Sequence, residues 1–266
     1  MSIPLSYAAA DSATMLRRNL RHLLRYPSMT IMVAGLPVLF LLIFVYVFGG
    51  ILGAGLGHGG GRAAYLAYVT PGIVLLSLYG SATATAVSVA MDMTQGIVAR
   101  FRTMAIARSA VLTGHVLGSV IQGLLGCGVV LGVALAIGFR PAAGPLAWLG
   151  VAGTLAMIVF AFTWLSVVLG LVARTPEEAS NTPTFLMVLG FLGSGFVPTG
   201  SMPAALRWFA EYQPFTPVTQ TLRALLLGTP VGNNAIIAVA WCAGLTAVSY
   251  VLAIRLFRRD LRPVAH

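Results

Sequence analysis

Lysine is absent from this sequence; all sixteen basic residues are arginine. A Walker A phosphate loop cannot be built without its lysine, so this chain does not bind ATP in that manner. Acidic residues are nearly as scarce, six in 266 positions, and charged residues of both signs make up only 8% of the chain. Soluble domains carry about a quarter charged residues, so the balance belongs to the membrane class. None of the six carboxylates, Asp11, Asp92, Glu177, Glu178, Glu211 and Asp260, falls in the middle of an apolar run. Ion-coupled carriers hold ionisable groups at membrane depth because those groups bind the coupling ion. That class is disfavoured here. The two cysteines, Cys127 and Cys242, both fall in apolar runs and read as small buried hydrophobes, not as a disulfide or a metal pair. No HExxH, paired carboxylate or Cys/His cluster occurs, so neither an enzyme nor a metal or cofactor site is expected.

What is abundant is apolar surface, 58% of residues. Six runs come close to the ~20 residues that cross ~30 Å of hydrocarbon. They lie near 29–49, 66–90, 111–138, 148–172, 184–199 and 234–256. The first run starts too late, and runs too long, for a secretory signal peptide. Ahead of it, residues 12–26 place Leu16, Leu20, Leu23 and Leu24 on one helical arc and Arg17, Arg18, Arg21 and Arg25 on another. That pattern predicts an amphipathic helix lying in the interface, its arginines toward lipid phosphate. The fold class expected is therefore all-α: a single transmembrane domain over 1–266, with six spans and an N-terminal interfacial helix.

The arginines also set the orientation. With the N-terminus inside, twelve of them (17, 18, 21, 25, 100, 102, 108, 174, 255, 258, 259 and 262) are cytoplasmic, and only Arg62, Arg140, Arg207 and Arg223 are outside. This is the positive-inside asymmetry of a plasma or inner membrane protein, with both termini in the cytoplasm. Placement beside apolar runs also assigns the +10 net charge to lipid head groups and argues against nucleic acid.

Residues 200–233 are too apolar for a solvated loop and are punctuated by Pro203, Pro214 and Pro217. Helices over 204–212 and 218–227 are each too short to span, which predicts a re-entrant hairpin on the outer side. Trp208, Phe209 and Tyr212 make its first helix a candidate outer gate. Small-residue spacings, Gly114-xxx-Gly118, Gly128-xxx-Gly132 and the row Gly80, Ala84, Ser88, mark candidate helix contacts. Pro37 and Pro71 are expected to bend or open their helices. The glycine-rich stretch 49–61 reads as a flexible outer loop. Ser77, Tyr79, Ser81, Thr85 and Gln122 give the second and third spans a weakly polar face, which suits either a cargo pathway or plain packing.

Without an ion site or nucleotide motif, transport energy has to come from a partner. The cytoplasmic loop 92–109 offers a contact: Gln95 and Gly96 lead to Arg100-Phe101-Arg102, an aromatic knob flanked by charge. An ordinary positive-inside loop is the plain alternative.

At this loop the chain resembles a known family. The runs Thr70-Pro71-Gly72-Ile73 and Gly96-Ile97-Val98-Ala99-Arg100-Phe101-Arg102-Thr103-Met104 resemble ABC type-2 permeases of the daunorubicin-resistance type. So do Phe191-Leu192-Gly193-Ser194-Gly195-Phe196-Val197-Pro198, Ser201-Met202-Pro203, Arg207-Trp208-Phe209-Ala210, Gln213-Pro214-Phe215-Thr216-Pro217 and Leu222-Arg223-Ala224-Leu225. The resemblance implies a cytoplasmic ATP-binding cassette subunit that dimerises, binds ATP and Mg, and supports two permease chains, identical or paralogous. It makes Gln95–Met104 the coupling helix. Two departures stand out: many relatives have an acidic residue where Gln95 stands and a proline near Ala105. The function implied is export of hydrophobic or amphipathic compounds, antibiotics or lipids, out of the cytoplasm or inner leaflet. An ion-coupled carrier and a non-transporting membrane scaffold are the alternatives.

Overall fold

A computed structural model describes residues 27–56, 61–94 and 108–260. The predicted interfacial helix over 12–26 and the coupling residues Gln95, Gly96, Arg100, Phe101 and Arg102 lie outside them. Every regular element in the described residues is helical. The first helix runs as α1 (Pro27–Leu42), a π-helical turn (Ile43–Phe48) and α2 (Gly49–Ala54) without leaving helical backbone. The glycine-rich stretch therefore begins as helix, contrary to the loop expected from residue 49, because these glycines extend an existing helix without having to nucleate one. Neither proline opens its helix: Pro37 lies inside continuous α1, with the π turn starting only six residues later, and Pro71 sits inside an unbroken helix.

That helix is α3 (Arg62–Thr94), 33 residues and about 50 Å at 1.5 Å per residue. It is followed by α4 (Arg108–Ala136), α5 (Pro145–Val172), the short α6 (Pro176–Asn181) and α7 (Thr184–Phe191). A 3-10 turn (Thr199–Ser201) leads to α8 (Ala204–Tyr212), α9 (Phe215–Leu227) and α10 (Asn234–Asp260). The local sequence explains the starts and stops. Pro145 and Pro176 occupy first-turn positions, where a missing N–H costs nothing. Thr175 caps α6 by accepting the Glu178 N–H at 3.1 Å, and Glu178 returns a carboxylate to the Arg174 N–H at 2.9 Å. Gly228, at φ +68°, closes α9 in the left-handed conformation.

Among the described residues, five helices are long and apolar enough to cross a membrane: Ala34–Ala54, Arg62–Thr94, Val116–Ala136, Pro145–Val172 and Asn234–Phe257. The run expected as a fifth span, 184–199, is not among them. Its helix stops after eight residues, because Pro183 bounds it below and Gly190, Gly193, Gly195 and Pro198 withdraw helical support above.

Helices α3 and α5 form the centre, each 67% buried over its most apolar window, against 17% for α10. Around α3 pack α1, α4, α5 and α9; α10 lies on α5. The main core joins Leu41, Ile73, Leu78, Val130, Ile158 and Val218, while Val89, Trp164, Val167 and Phe257 form a second cluster toward the Thr94 end of α3. Lipid offers no hydrophobic drive to bring helices together, so close packing must do it. Two of the tight contacts fall at glycines outside the predicted GxxxG spacings. A Cβ on Gly170 would meet the Ala86 carbonyl oxygen at 2.5 Å, and one on Gly123 would meet Val159 at 2.7 Å. Gly128 and Gly132 face open space.

Candidate functional site

The Leu192 and Gly193 N–H groups still donate to the Val188 and Gly190 carbonyls. Residues 192–198, Leu-Gly-Ser-Gly-Phe-Val-Pro, then turn the chain out of the helix and leave carbonyl groups free in apolar surroundings. Such groups need donors. The chain brings them from positions far away in sequence. On α3 the Tyr65 hydroxyl donates to the Phe196 carbonyl at 3.2 Å, and the Tyr68 hydroxyl donates to the Ser194 carbonyl at 2.9 Å. On α9, Arg223 Nη2 donates to that same Ser194 carbonyl at 2.8 Å. Arg223 also reaches the Tyr68 carbonyl through Nε at 3.2 Å and Nη2 at 3.0 Å. Thr216 Oγ1 accepts the Ser194 N–H at 3.1 Å. Gln213 braces the preceding helix, its Nε2 donating to the Leu189 carbonyl at 3.0 Å while its Oε1 accepts the Phe215 N–H at 3.4 Å. The Ser194 hydroxyl is buried without a partner, so this residue serves the knot through its backbone.

The electrostatics follow from the same atoms. The Arg223 guanidinium lies 3.8 Å from the Tyr68 ring centroid, over the negative face of the aromatic quadrupole. Two carbonyl dipoles and that face compensate the half-buried cation. Aromatic packing backs the turn from the other side: Phe196 stacks on Phe191 at 4.6 Å, and Phe44 of the first helix approaches Phe196 at 5.1 Å. Helix α3 comes so close that Gly72 and Gly195 touch backbone to backbone. A Cβ on Gly72 would sit 2.6 Å from the Gly195 Cα and 2.7 Å from its carbonyl oxygen.

The hairpin α8–α9 hangs from this knot. Its vertex, Phe215, packs on Phe162 at 5.2 Å between ring centroids, far along α5. The other end of α9 lies against the start of α5, where Leu225 covers Gly150 and the Leu226 carbonyl accepts the Ala142 N–H at 2.9 Å. Arg207 of α8 donates to the carbonyls of Thr199, Gly200 and Met202, while Glu211 accepts from the Thr199 hydroxyl. The charged edge of α8 is thereby occupied, and its aromatic edge is left exposed: Trp208 66%, Phe209 38% and Tyr212 64%.

The remaining sequence-derived candidates divide by face. Ser77, Ser81 and Thr85 are buried within this chain and return their hydroxyls to Val74, Leu78 and Ser81 carbonyls of their own helix. Ser77 also meets Cys127 Sγ at 3.3 Å, and Cys127 and Cys242 are both free thiols. Tyr79 and Gln122 are half-buried. The knot residues Tyr65, Tyr68, Gln213, Thr216 and Arg223 were not singled out as a site from the sequence. The available signal was Arg223 itself, an arginine among apolar residues, which counted only as an outer charge.

Residues 12–227 match the family model described as ABC-2 type transporter, a range that takes in the knot and the whole hairpin. The chain is 31% identical over 257 residues to the daunorubicin resistance ABC transporter permease protein of Streptomyces coeruleorubidus, covering 94% of this chain and 88% of the relative. It is 26% identical over 244 residues to the probable doxorubicin resistance ABC transporter permease protein of Mycobacterium tuberculosis, covering 90% and 85%. It is 24% identical over 196 residues to an inner membrane transport permease of Escherichia coli K12, covering 72% and 74%. These relatives are transporter subunits, and the match extends over most of both chains. This multi-pass membrane protein belongs to the ABC-2 type transporter family, alongside permeases of drug-resistance ABC transporters.

Proposed function

We propose that this chain is the permease half of an ATP-driven exporter of hydrophobic or amphipathic compounds, drugs or lipids. The observation that carries the proposal is the near full-length similarity to permeases named for daunorubicin and doxorubicin resistance. In this reading ATP and Mg belong to a dimeric cytoplasmic cassette subunit, and a second permease chain, identical or paralogous, completes the transporter.

The reading carries a topology of six crossings with both termini cytoplasmic. The fifth is made of α6, α7 and the turn together. Two contacts support it: Ala179 packs with Ala86 and Ala90 near one end of α3, and the Phe196 carbonyl meets Tyr65 near the other. Positions 65 and 90 are about 37 Å apart along a helix, more than the hydrocarbon thickness. The Arg62 end of α3 is then outer and the Thr94 end cytoplasmic. The hairpin re-enters from outside, with Phe215 at its deepest point and α9 climbing back to the surface. Trp208, Phe209 and Tyr212 lie in the outer leaflet beside the pathway and act as its gate. Tyr79 and Gln122 are the candidate pathway residues with surface left for cargo.

The test is the ATPase rate of a co-purified cassette subunit in lipid nanodiscs, with and without this chain. A stable complex with altered, cargo-sensitive hydrolysis is expected. An ion-coupled carrier would instead transport without the subunit and stop when ion gradients are collapsed. A scaffold would leave hydrolysis unchanged. For the gate, a nitroxide at position 208 is expected to collide with lipid-soluble oxygen more than with an aqueous chelate. A fully solvated, mobile label there would defeat the re-entrant reading.

A further inference from the structure

Helix α9 buries leucines at 222 and 226, and between them it places an arginine. Packing alone would be served better by another leucine, because even a half-buried cation is costly unless it is paired. Here Nε and Nη2 are paired. The guanidinium fork makes its three hydrogen bonds to two elements at once, the Tyr68 carbonyl on α3 and the Ser194 carbonyl in the turn. Lysine has neither the planar fork nor the stacking face for this. Tyr68 closes the triangle by sending its own hydroxyl to the Ser194 carbonyl and its ring under the guanidinium. The three elements thus meet at one cation, and two of them are held there by polar contacts that are directional and either made or broken.

The position of this triangle gives it a mechanical meaning. Tyr68 lies two turns inside the Arg62 end of an unbroken 33-residue helix. The other end of that helix leads into 95–107, the segment on which the exporter reading places ATPase coupling. We propose that Arg223 is a positioning residue for transport: it latches the α8–α9 hairpin and the 192–198 turn to α3, so that displacement of the cytoplasmic end of α3 is delivered to the outer hairpin. The inference rests on the exporter reading and adds the residue through which its outer gate is driven. A helix held by packing alone slips by small steps, whereas a forked contact to fixed carbonyls transmits displacement until it breaks.

The experiment uses the full complex with its co-expressed cassette subunit in inside-out vesicles, with daunorubicin fluorescence as the transport probe. Transport per ATP hydrolysed is compared among wild type, Arg223→Leu and Arg223→Lys. Arg223→Leu is expected to keep hydrolysis within about twofold of wild type while transport per ATP falls at least tenfold, the factor that a loss of about 1.4 kcal/mol in coupling corresponds to. Arg223→Lys keeps the charge without the fork and is expected to fall between. If the leucine variant does not assemble, the lysine variant decides, with at least a threefold loss expected at normal complex yield. A wild-type ratio in whichever variant is read overturns the latch.

A second arm needs no cargo. Trp208→Cys is placed in a Cys127→Ala, Cys242→Ala background, and its maleimide labelling rate is measured with and without vanadate-trapped nucleotide. A rate change of at least threefold that Arg223→Leu abolishes is expected; an unchanged rate with Arg223 present, or a change that survives Arg223→Leu, overturns the proposal. Failure of the exporter reading looks different. Wild type itself would then form no complex with the cassette subunit and stimulate no hydrolysis, whereas failure of the latch alone leaves an active wild type and an equally active leucine variant.

Discussion

Gly72→Ala is expected to destabilise the protein by about 2–3 kcal/mol, at the upper part of the range for overpacking a rigid contact. The new methyl would meet the Gly195 Cα at 2.6 Å and its carbonyl oxygen at 2.7 Å, so one of two backbones must retreat. Neither is free to do so. The turn is tied through the carbonyls of Ser194 and Phe196 and through the Ser194 N–H, and α3 is packed on its other faces by α1, α4 and α5. The reciprocal change is milder. A Cβ on Gly195 finds the Gly72 Cα at 3.0 Å and nothing else nearer than 3.8 Å. The order of damage should therefore be Gly72→Ala, then Gly195→Ala, with Gly132→Ala near wild type because nothing lies within 4 Å of its site. Thermal denaturation of purified, detergent-solubilised protein, followed by size-exclusion profile, reads the order. Equal behaviour of Gly72→Ala and Gly132→Ala would remove the close approach of helix and turn from the account.

The same contact shows why some of this molecule was legible in its sequence and some was not. Span-length helices announce themselves through continuous apolar runs, and α3, α4, α5 and α10 fall within a few residues of the expected bounds. Prolines punctuate the hairpin so sharply that 204–212 is recovered to the residue. The second hairpin helix begins at Phe215, three residues before its expected start, because Pro217 stands in the first turn, where a proline is tolerated. The eight-residue α7 escaped because hydropathy is blind to glycines and prolines that end a helix inside an apolar run. The knot was illegible for another reason. Tyr65 meets Phe196 across 131 positions and Arg223 meets Tyr68 across 155, so no local spacing encodes either pair. The Gly128-xxx-Gly132 spacing misled in the same way. Such a spacing reports where a helix is thin, and which thin places are used depends on the neighbour that arrives, here at Gly72, Gly123 and Gly170 and not at Gly128 or Gly132.

Phe101→Ala is expected to reduce transport at least tenfold while leaving membrane insertion unchanged, and Arg100→Glu is expected to impair it by a different physical route. Both residues lie in the 95–107 segment, outside the described residues, so the case rests on their chemistry. An aromatic knob seated in a partner's pocket contributes most of what a small contact offers, about 2 kcal/mol or more on truncation, a loss of roughly thirtyfold in affinity. A flanking arginine at the rim of such a contact would add a charge pair worth about 1 kcal/mol or less, screened by salt. The two defects therefore separate with ionic strength. The Phe101→Ala defect should persist from 50 to about 500 mM salt, because apolar burial does not depend on screening. The Arg100→Glu defect should shrink over the same range as the reversed charge is screened. Insertion is read from the membrane-fraction yield, docking from co-purification of the cassette subunit, and coupling from daunorubicin transport per ATP. Wild-type export by both variants would sink the docking role of this segment. A defect in Arg100→Glu alone, abolished by salt, would leave an electrostatic contact and remove the aromatic knob from the mechanism.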